Sequence, residues 1–208
     1  MEHKVTRLTH GAQLISKFTN PSILSPITLL LIAFTGSTNA TEMVSWVAVI
    51  IIFFVLIPAV YVYLRISSSE NRGKSVIELT TFLKLHPRDI LTLAFLLGLP
   101  CLAFLSFLKA PTTLIFAIVA LLAGSIVTAV FNIFYRVSFH LTGITILILM
   151  AAQVWGPVFL VLLVTIPLIA WAKFQIHDHT IPQLVIGVVV GVVVSLATLY
   201  LFGLRVIG

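Results

Sequence analysis

Apolar residues fall along this chain in long blocks separated by short polar stretches. Seven blocks stand out, at 21–36, 43–64, 90–108, 112–134, 140–154, 157–172 and 182–204. About 20 apolar residues wound as a helix cross the roughly 30 Å of bilayer hydrocarbon. The blocks therefore predict transmembrane helices, the first, fifth and sixth of them short. The fifth and sixth meet at Trp155-Gly156-Pro157, a helix-breaking pair beside an interfacial aromatic, which predicts a helical hairpin. One long helix is the alternative, but it would have to carry Gly-Pro through its middle. The pair Gly98 and Pro100 predicts a kink in the third span.

Residues 1–20 are polar and mildly basic, and no small-residue cleavage site follows the first apolar run. They read as a cytoplasmic N-terminal arm, with Leu8, Leu14, Ile15 and Phe18 marking an interfacial helix, ahead of a single transmembrane helical domain at 21–208. The expected fold class is thus an all-α integral membrane bundle of six to seven transmembrane helices.

Composition makes the membrane assignment firm. Of 208 residues, 60% are hydrophobic and 9% charged, with a mean hydropathy of +1.20. A soluble domain carries about 25% charged residues, so this chain cannot clothe itself for water. Cys101 is the sole cysteine, which excludes an internal disulfide and a cysteine zinc site.

Charge then orients the spans. With seven crossings, the side of the N-terminus receives Lys4, Arg7, Lys17, Arg65, Arg72, Lys74, Lys84, Arg88, Arg136 and Lys173, and the other side only Lys109 and Arg205. Positive charge concentrates on the cytoplasmic side of inner (plasma) membrane proteins, so the N-terminus is expected there. All six histidines share that side, and the net charge of +6 reads as affinity for anionic lipid or phosphate rather than nucleic acid. The spans contain no Lys, Arg, Asp or Glu. Ion channels, proton pumps and many transporters need such groups at mid-membrane, which disfavours those classes.

Chemistry is therefore expected at the cytoplasmic mouth, in the loops 65–89, 135–140 and 173–181. Arg and Lys grouped with Ser and His suit a phosphate: fixed donors hold the oxygens and an imidazole transfers a proton or phosphoryl group. Taken singly, these residues have plainer readings. The cations serve as topology anchors, His140 as an interfacial residue and His177 as a rim residue. Gly187, Gly191 and Ser195 form a small-residue face for helix packing. Trp46, Trp155 and Trp171 read as interfacial belt residues. Pro87 and Asp89 read as a helix start.

Taken together, in order and spacing, the same residues resemble the type 2 phosphatidic acid phosphatases, which include lipid phosphate and isoprenoid diphosphate phosphatases. That family carries Lys-x6-Arg-Pro, Ser-Gly-His and Ser-Arg-x5-His-x3-Asp. Here the stretches read Arg65-x6-Arg72-Gly73, Ser138-Phe139-His140 and Ala172-Lys173-x5-His179-x3-Gln183. The last continues to Gly187 in a form similar to divergent prokaryotic members, as does Asn132-x3-Arg136-x-Ser138-x-His140. The resemblance spans roughly residues 60 to 195.

It implies a core of that family's type and a metal-independent hydrolase acting on membrane lipid or isoprenoid phosphate, without cofactor. His179 corresponds to the nucleophile that forms a phosphohistidine, and His140 to the general acid. Arg65, Arg72 and Lys173 correspond to the cations that grip phosphoryl oxygens, with Ser138 a donor beside them. Gln183 stands where most members have an Asp, so it fixes the imidazole without supplying charge. Phe139 replaces a glycine, and Lys173 replaces a planar guanidinium. These departures keep a second expectation open: a catalytically silent protein of the same fold that binds a lipid or pigment, or serves as an accessory subunit of a larger membrane complex. A homo-oligomer fits either expectation.

Overall fold

Every apolar block folds as helix. The computed structural model describes residues 7–67 and 87–204, and among them there is no strand. In chain order the helices are α1 (Arg7–Phe18), α2 (Pro21–Gly36), α3 (Ala40–Ile51), α4 (Ile57–Ser67), α5 (Pro87–Phe107), α6 (Thr112–Phe134), α7 (Phe139–Trp155), α8 (Thr165–Gln175) and α9 (Ile181–Leu201). Five helical segments are long and apolar enough to cross a membrane: Thr9–Gly36, Ala40–Tyr61, Thr112–Phe134, Pro157–Gln175 and Ile181–Leu201. Two more apolar helices, Ala94–Phe107 and Phe139–Trp155, are shorter.

The breaks have local causes. A π-helical turn at Ile52–Leu56 joins α3 to α4, with Ile57 N–H donating to Ile52 O. Pro58 follows, lacking an N–H and crowding the carbonyl four residues back, and the wider turn absorbs that misfit. At Gly156 the backbone takes φ +106°, a region open to glycine, and the chain reverses as the hairpin reading expects. The returning arm begins as a 3-10 helix, Pro157–Val164, before α8. At about 2.0 Å per residue the 3-10 portion lengthens a short segment. With the α-helical portion it reaches roughly 32 Å, enough for the hydrocarbon layer.

The centre of the bundle is α7, which packs against α2, α6, α8, α9 and the 3-10 arm. Leu141, Ile146 and Met150 on it are buried. Its 17 residues span only about 25 Å, and a helix surrounded by protein tolerates that shortfall because protein covers its ends. The backbones of α7 and α9 approach closely. A Cβ placed on Gly187 would lie 2.8 Å from Ser138 O, and one on Gly191 would lie 2.9 Å from Thr142 O. Across the seam Thr142 Oγ1 donates to Gly187 O at 2.9 Å. The small-residue face read from sequence is this seam.

At the end of the bundle formed by Gly36, Leu108 and Trp155, Trp155 Nε1 donates to Thr35 Oγ1 and Trp46 Nε1 to Leu108 O. Trp46 is only 3% exposed, so it is a core residue and not the belt residue expected. Gly98 faces the Leu122 side chain with no room for a Cβ, and α5 continues as one helix through Pro100. The expected N-terminal arm is helical, but it does not stand apart: α1 packs along α8, with Ala12 fully buried.

Candidate functional site at one end of the bundle

The site assembles at the opposite end from Trp46 and Trp155. There α1 turns into α2, α6 turns into α7, and α8 turns into α9.

The α6–α7 turn is tied from within. Asn132 Nδ2 donates to Thr128 O (2.8 Å) and Val137 O (3.1 Å), and Asn132 Oδ1 accepts from Val137 N–H (3.1 Å). This clamp delivers Ser138 to the start of α7, where its Oγ accepts from Leu141 N–H. Ser138 N–H donates to Gln183 O at 3.3 Å, joining the turn to the first turn of α9. Ser138 is fully buried beneath Gly187. The resemblance implied a phosphate donor at this position; in the structure Ser138 caps α7 and lies in the seam with α9.

The α8–α9 turn is equally specified. His177 takes a left-handed backbone (φ 56°), with His177 N–H donating to Phe174 O and Asp178 N–H to Lys173 O. This is the Schellman ending of a helix, with a histidine where glycine is usual. It folds Asp178 back over Lys173, whose Nζ lies 3.0 Å from Asp178 Oδ2 in an ion pair with side chains 11% and 18% exposed. Asp178, which stands alone among the acidic residues in sequence, thus neutralises the lysine implied to grip phosphate.

His179 follows. Gln183 Oε1 accepts from Thr180 N–H at 3.1 Å, closing a capping box, and lies 3.2 Å from His179 Nδ1. Since that backbone N–H identifies the amide oxygen, the ring nitrogen facing it must donate. Nδ1 carries the hydrogen, and Nε2 keeps its lone pair. Partial burial holds the His179 pKa below the ordinary histidine value. The Asp178 carboxylate and the Gln183 bond oppose that shift, while Arg136 and Lys173 reinforce it. A bare Nε2 on a neutral ring is the form a nucleophilic imidazole requires.

His140 lies on the first turn of α7, half-buried, within electrostatic reach of Lys173, Asp178 and His179. Its Nε2 is 3.0 Å from Thr19 Oγ1, at the corner between α1 and α2. Arg136 is exposed, acts electrostatically on His179, and has no carboxylate partner among the described residues.

The structure thus gathers His140, Lys173, His179 and Gln183 at one end and adds Arg136, Asp178 and Thr19. Arg65 belongs to α4; its side chain, like the whole of Arg72, lies outside the described residues. Among the described residues no three His, Cys, Asp or Glu side chains group as a metal site would need. The double role of Gln183 was open to sequence reasoning, because Thr180-x-x-Gln183 before an apolar run is a capping-box signature. Nothing in the sequence marks Thr19 as a neighbour of His140.

Comparison adds no relative. No protein-family model, curated protein or solved structure matches the chain.

Beside the polar cluster runs an apolar groove of about 330 Å³, whose lining includes Leu141, Trp171, Phe174, Ile181 and Leu184. In its wall Leu141 and Phe174 directly follow His140 and Lys173 in sequence, and Ile181 lies two residues beyond His179.

Proposed function

We propose that the chain is a membrane phosphatase or phosphotransferase acting on a lipid or isoprenoid phosphate or diphosphate, from the cytoplasmic side of the inner membrane. The observation that carries the reading is the pairing of His179 with Gln183, which leaves Nε2 bare beside His140, Arg136 and Lys173.

In this reading His179 Nε2 attacks phosphorus, the bond to the leaving oxygen breaks, and protonated His140 gives that oxygen a proton. A phosphohistidine remains. His140 then takes a proton from water as the water oxygen attacks phosphorus, releasing inorganic phosphate and restoring His179; an acceptor alcohol in place of water gives transfer instead. Arg136 grips the phosphoryl oxygens, and Lys173 joins it if phosphate displaces Asp178. The neighbouring groove suits the first carbons of a hydrocarbon tail, with the head at the polar cluster.

One observation favours the silent alternative, a lipid- or pigment-binding or accessory subunit: Lys173 is already neutralised by Asp178. Purified full-length protein offered phosphatidate and a prenyl diphosphate decides between them. The enzyme reading expects phosphate release and an acid-labile phosphoprotein, both abolished by His179→Ala. Release that survives His179→Ala unchanged removes His179 from the reaction. No release from either ester, together with a fixed co-purifying protein, supports the accessory role.

A further inference from the structure

We propose that Thr19 is a positioning residue for His140: its hydroxyl holds the imidazole with hydrogen on Nε2 and makes Nδ1 the nitrogen that exchanges a proton at the site. The use of Nδ1 rests on the function proposed above; the tautomer itself does not.

The assignment follows from counting hydrogens. Thr19 Oγ1 lies 2.7 Å from Ile15 O and 3.0 Å from His140 Nε2. A hydroxyl has one hydrogen, and an oxygen 2.7 Å from a carbonyl oxygen must have its hydrogen between them, since two lone pairs at that distance repel. Thr19 therefore spends its hydrogen on Ile15 and has only lone pairs for His140. A bare Nε2 at 3.0 Å would again set lone pair against lone pair, so Nε2 must carry hydrogen and donate. In the neutral ring, Nδ1 then holds the lone pair.

Among the described residues, Thr19 supplies the hydrogen bond to the His140 ring. The backbone of the first turn of α7 is set by the Ser138 cap and the seam with α9. The bond to Thr19 restrains rotation of the imidazole about its own bonds. The residue arrives from 121 positions earlier in the chain, carried by α1, which is seated on α8. The N-terminal helix thereby becomes part of the site's wall. It also gives the two histidines opposite tautomers: His179 is held through Nδ1 with Nε2 bare, and His140 is held through Nε2 with Nδ1 bare. Two imidazoles with different tasks at one phosphorus atom call for that division.

The test is nitrogen NMR of histidine-labelled full-length protein in lipid nanodiscs, without substrate, with His140→Gln identifying the His140 signals. The expected result is the Nε2–H form of His140 in the wild type and in Thr19→Ser, and loss of that single form in Thr19→Val, which keeps the shape but not the hydroxyl. An Nδ1–H form in the wild type overturns the proposal whether or not any variant folds. A Thr19→Val spectrum that superimposes on the wild type overturns it as well. Because the tautomer is read without turnover, absence of phosphatase activity leaves this result standing, and the reverse also holds.

Discussion

Replacing Gly187 with alanine probes the seam on which the site stands. The added Cβ would meet Ser138 O at 2.8 Å and both Ser138 Cβ and Leu141 Cβ at 3.4 Å. The nearest obstacle is a backbone carbonyl, which cannot swing aside, so α7 and α9 must part by roughly half an ångström or more to reach ordinary contact. Forcing extra volume into a packed interface costs about 1–3 kcal/mol. Separation also stretches the bond from Thr142 Oγ1 to Gly187 O, now 2.9 Å. Such bonds between membrane helices contribute about 0.6 kcal/mol on average and up to roughly 1.7. The expected loss is therefore about 2–4 kcal/mol, read by reversible unfolding in mixed micelles. Gly11→Ala is the control. Gly11 lies inside α1 with open space around its Cβ direction, so alanine there should stabilise by about 0.5–1 kcal/mol through helix propensity alone. If Gly187→Ala unfolds like the wild type, or shifts in the same direction as Gly11→Ala, the close approach inferred for the seam is wrong.

Two further substitutions separate clamp from charge. Asn132→Ala leaves the buried N–H and C=O of Val137 without their side-chain partner, which should cost about 1–3 kcal/mol in the same unfolding assay; a neutral result would mean the α6–α7 turn holds itself. Asp178→Asn removes the charge that raises the His179 pKa and releases Lys173, which lowers it, so both effects point the same way. His179 should titrate below the ordinary value of about 6.5 in the wild type and lower still in Asp178→Asn, followed by histidine NMR. Because the folded value is depressed, the unfolded chain takes up that proton first as pH falls. Stability linked to His179 is then present above about 6.5 and drains away as the pH drops toward the folded value. A midpoint at or above the ordinary value in the wild type refutes the partial burial assigned to this ring.

What could be read from sequence was whatever depends on neighbours in the chain. The apolar blocks became helices because length and hydropathy are local properties, and Gly156 turned the chain because its own backbone demanded it. The Gly187–Gly191 face was legible from its spacing. Trp46 was misread because an aromatic near a span end looks the same whether it faces lipid or α5. The apolar residues of the arm were placed correctly on a helix, yet Ala12 is the one that is fully buried, while Leu14 and Phe18 are exposed. Pairings across the bundle left no trace. Thr19 with His140 is a contact between two ordinary positions, and Lys173 with Asp178 depends on a left-handed His177, a conformation that histidine visits too rarely to be read from the sequence.

The seam also reframes the resemblance. Ser138 belongs to the second motif-like stretch, Gln183 and Gly187 to the third, and in space they form one contact: Ser138 N–H on Gln183 O, and Ser138 O against the missing side chain of Gly187. A serine that caps one helix and a glycine that admits it are needed together for packing, whatever chemistry the protein performs. Their joint presence in the sequence therefore argues for the architecture alone. The case for catalysis rests on what packing does not require, which is two imidazoles with opposite bare nitrogens and an Arg136 that has no carboxylate partner among the described residues. Gln183 belongs to both accounts, since the same oxygen closes the capping box and orients His179. Gln183→Glu divides them: a carboxylate still caps the helix, so stability should hold, while the added charge should raise the His179 pKa.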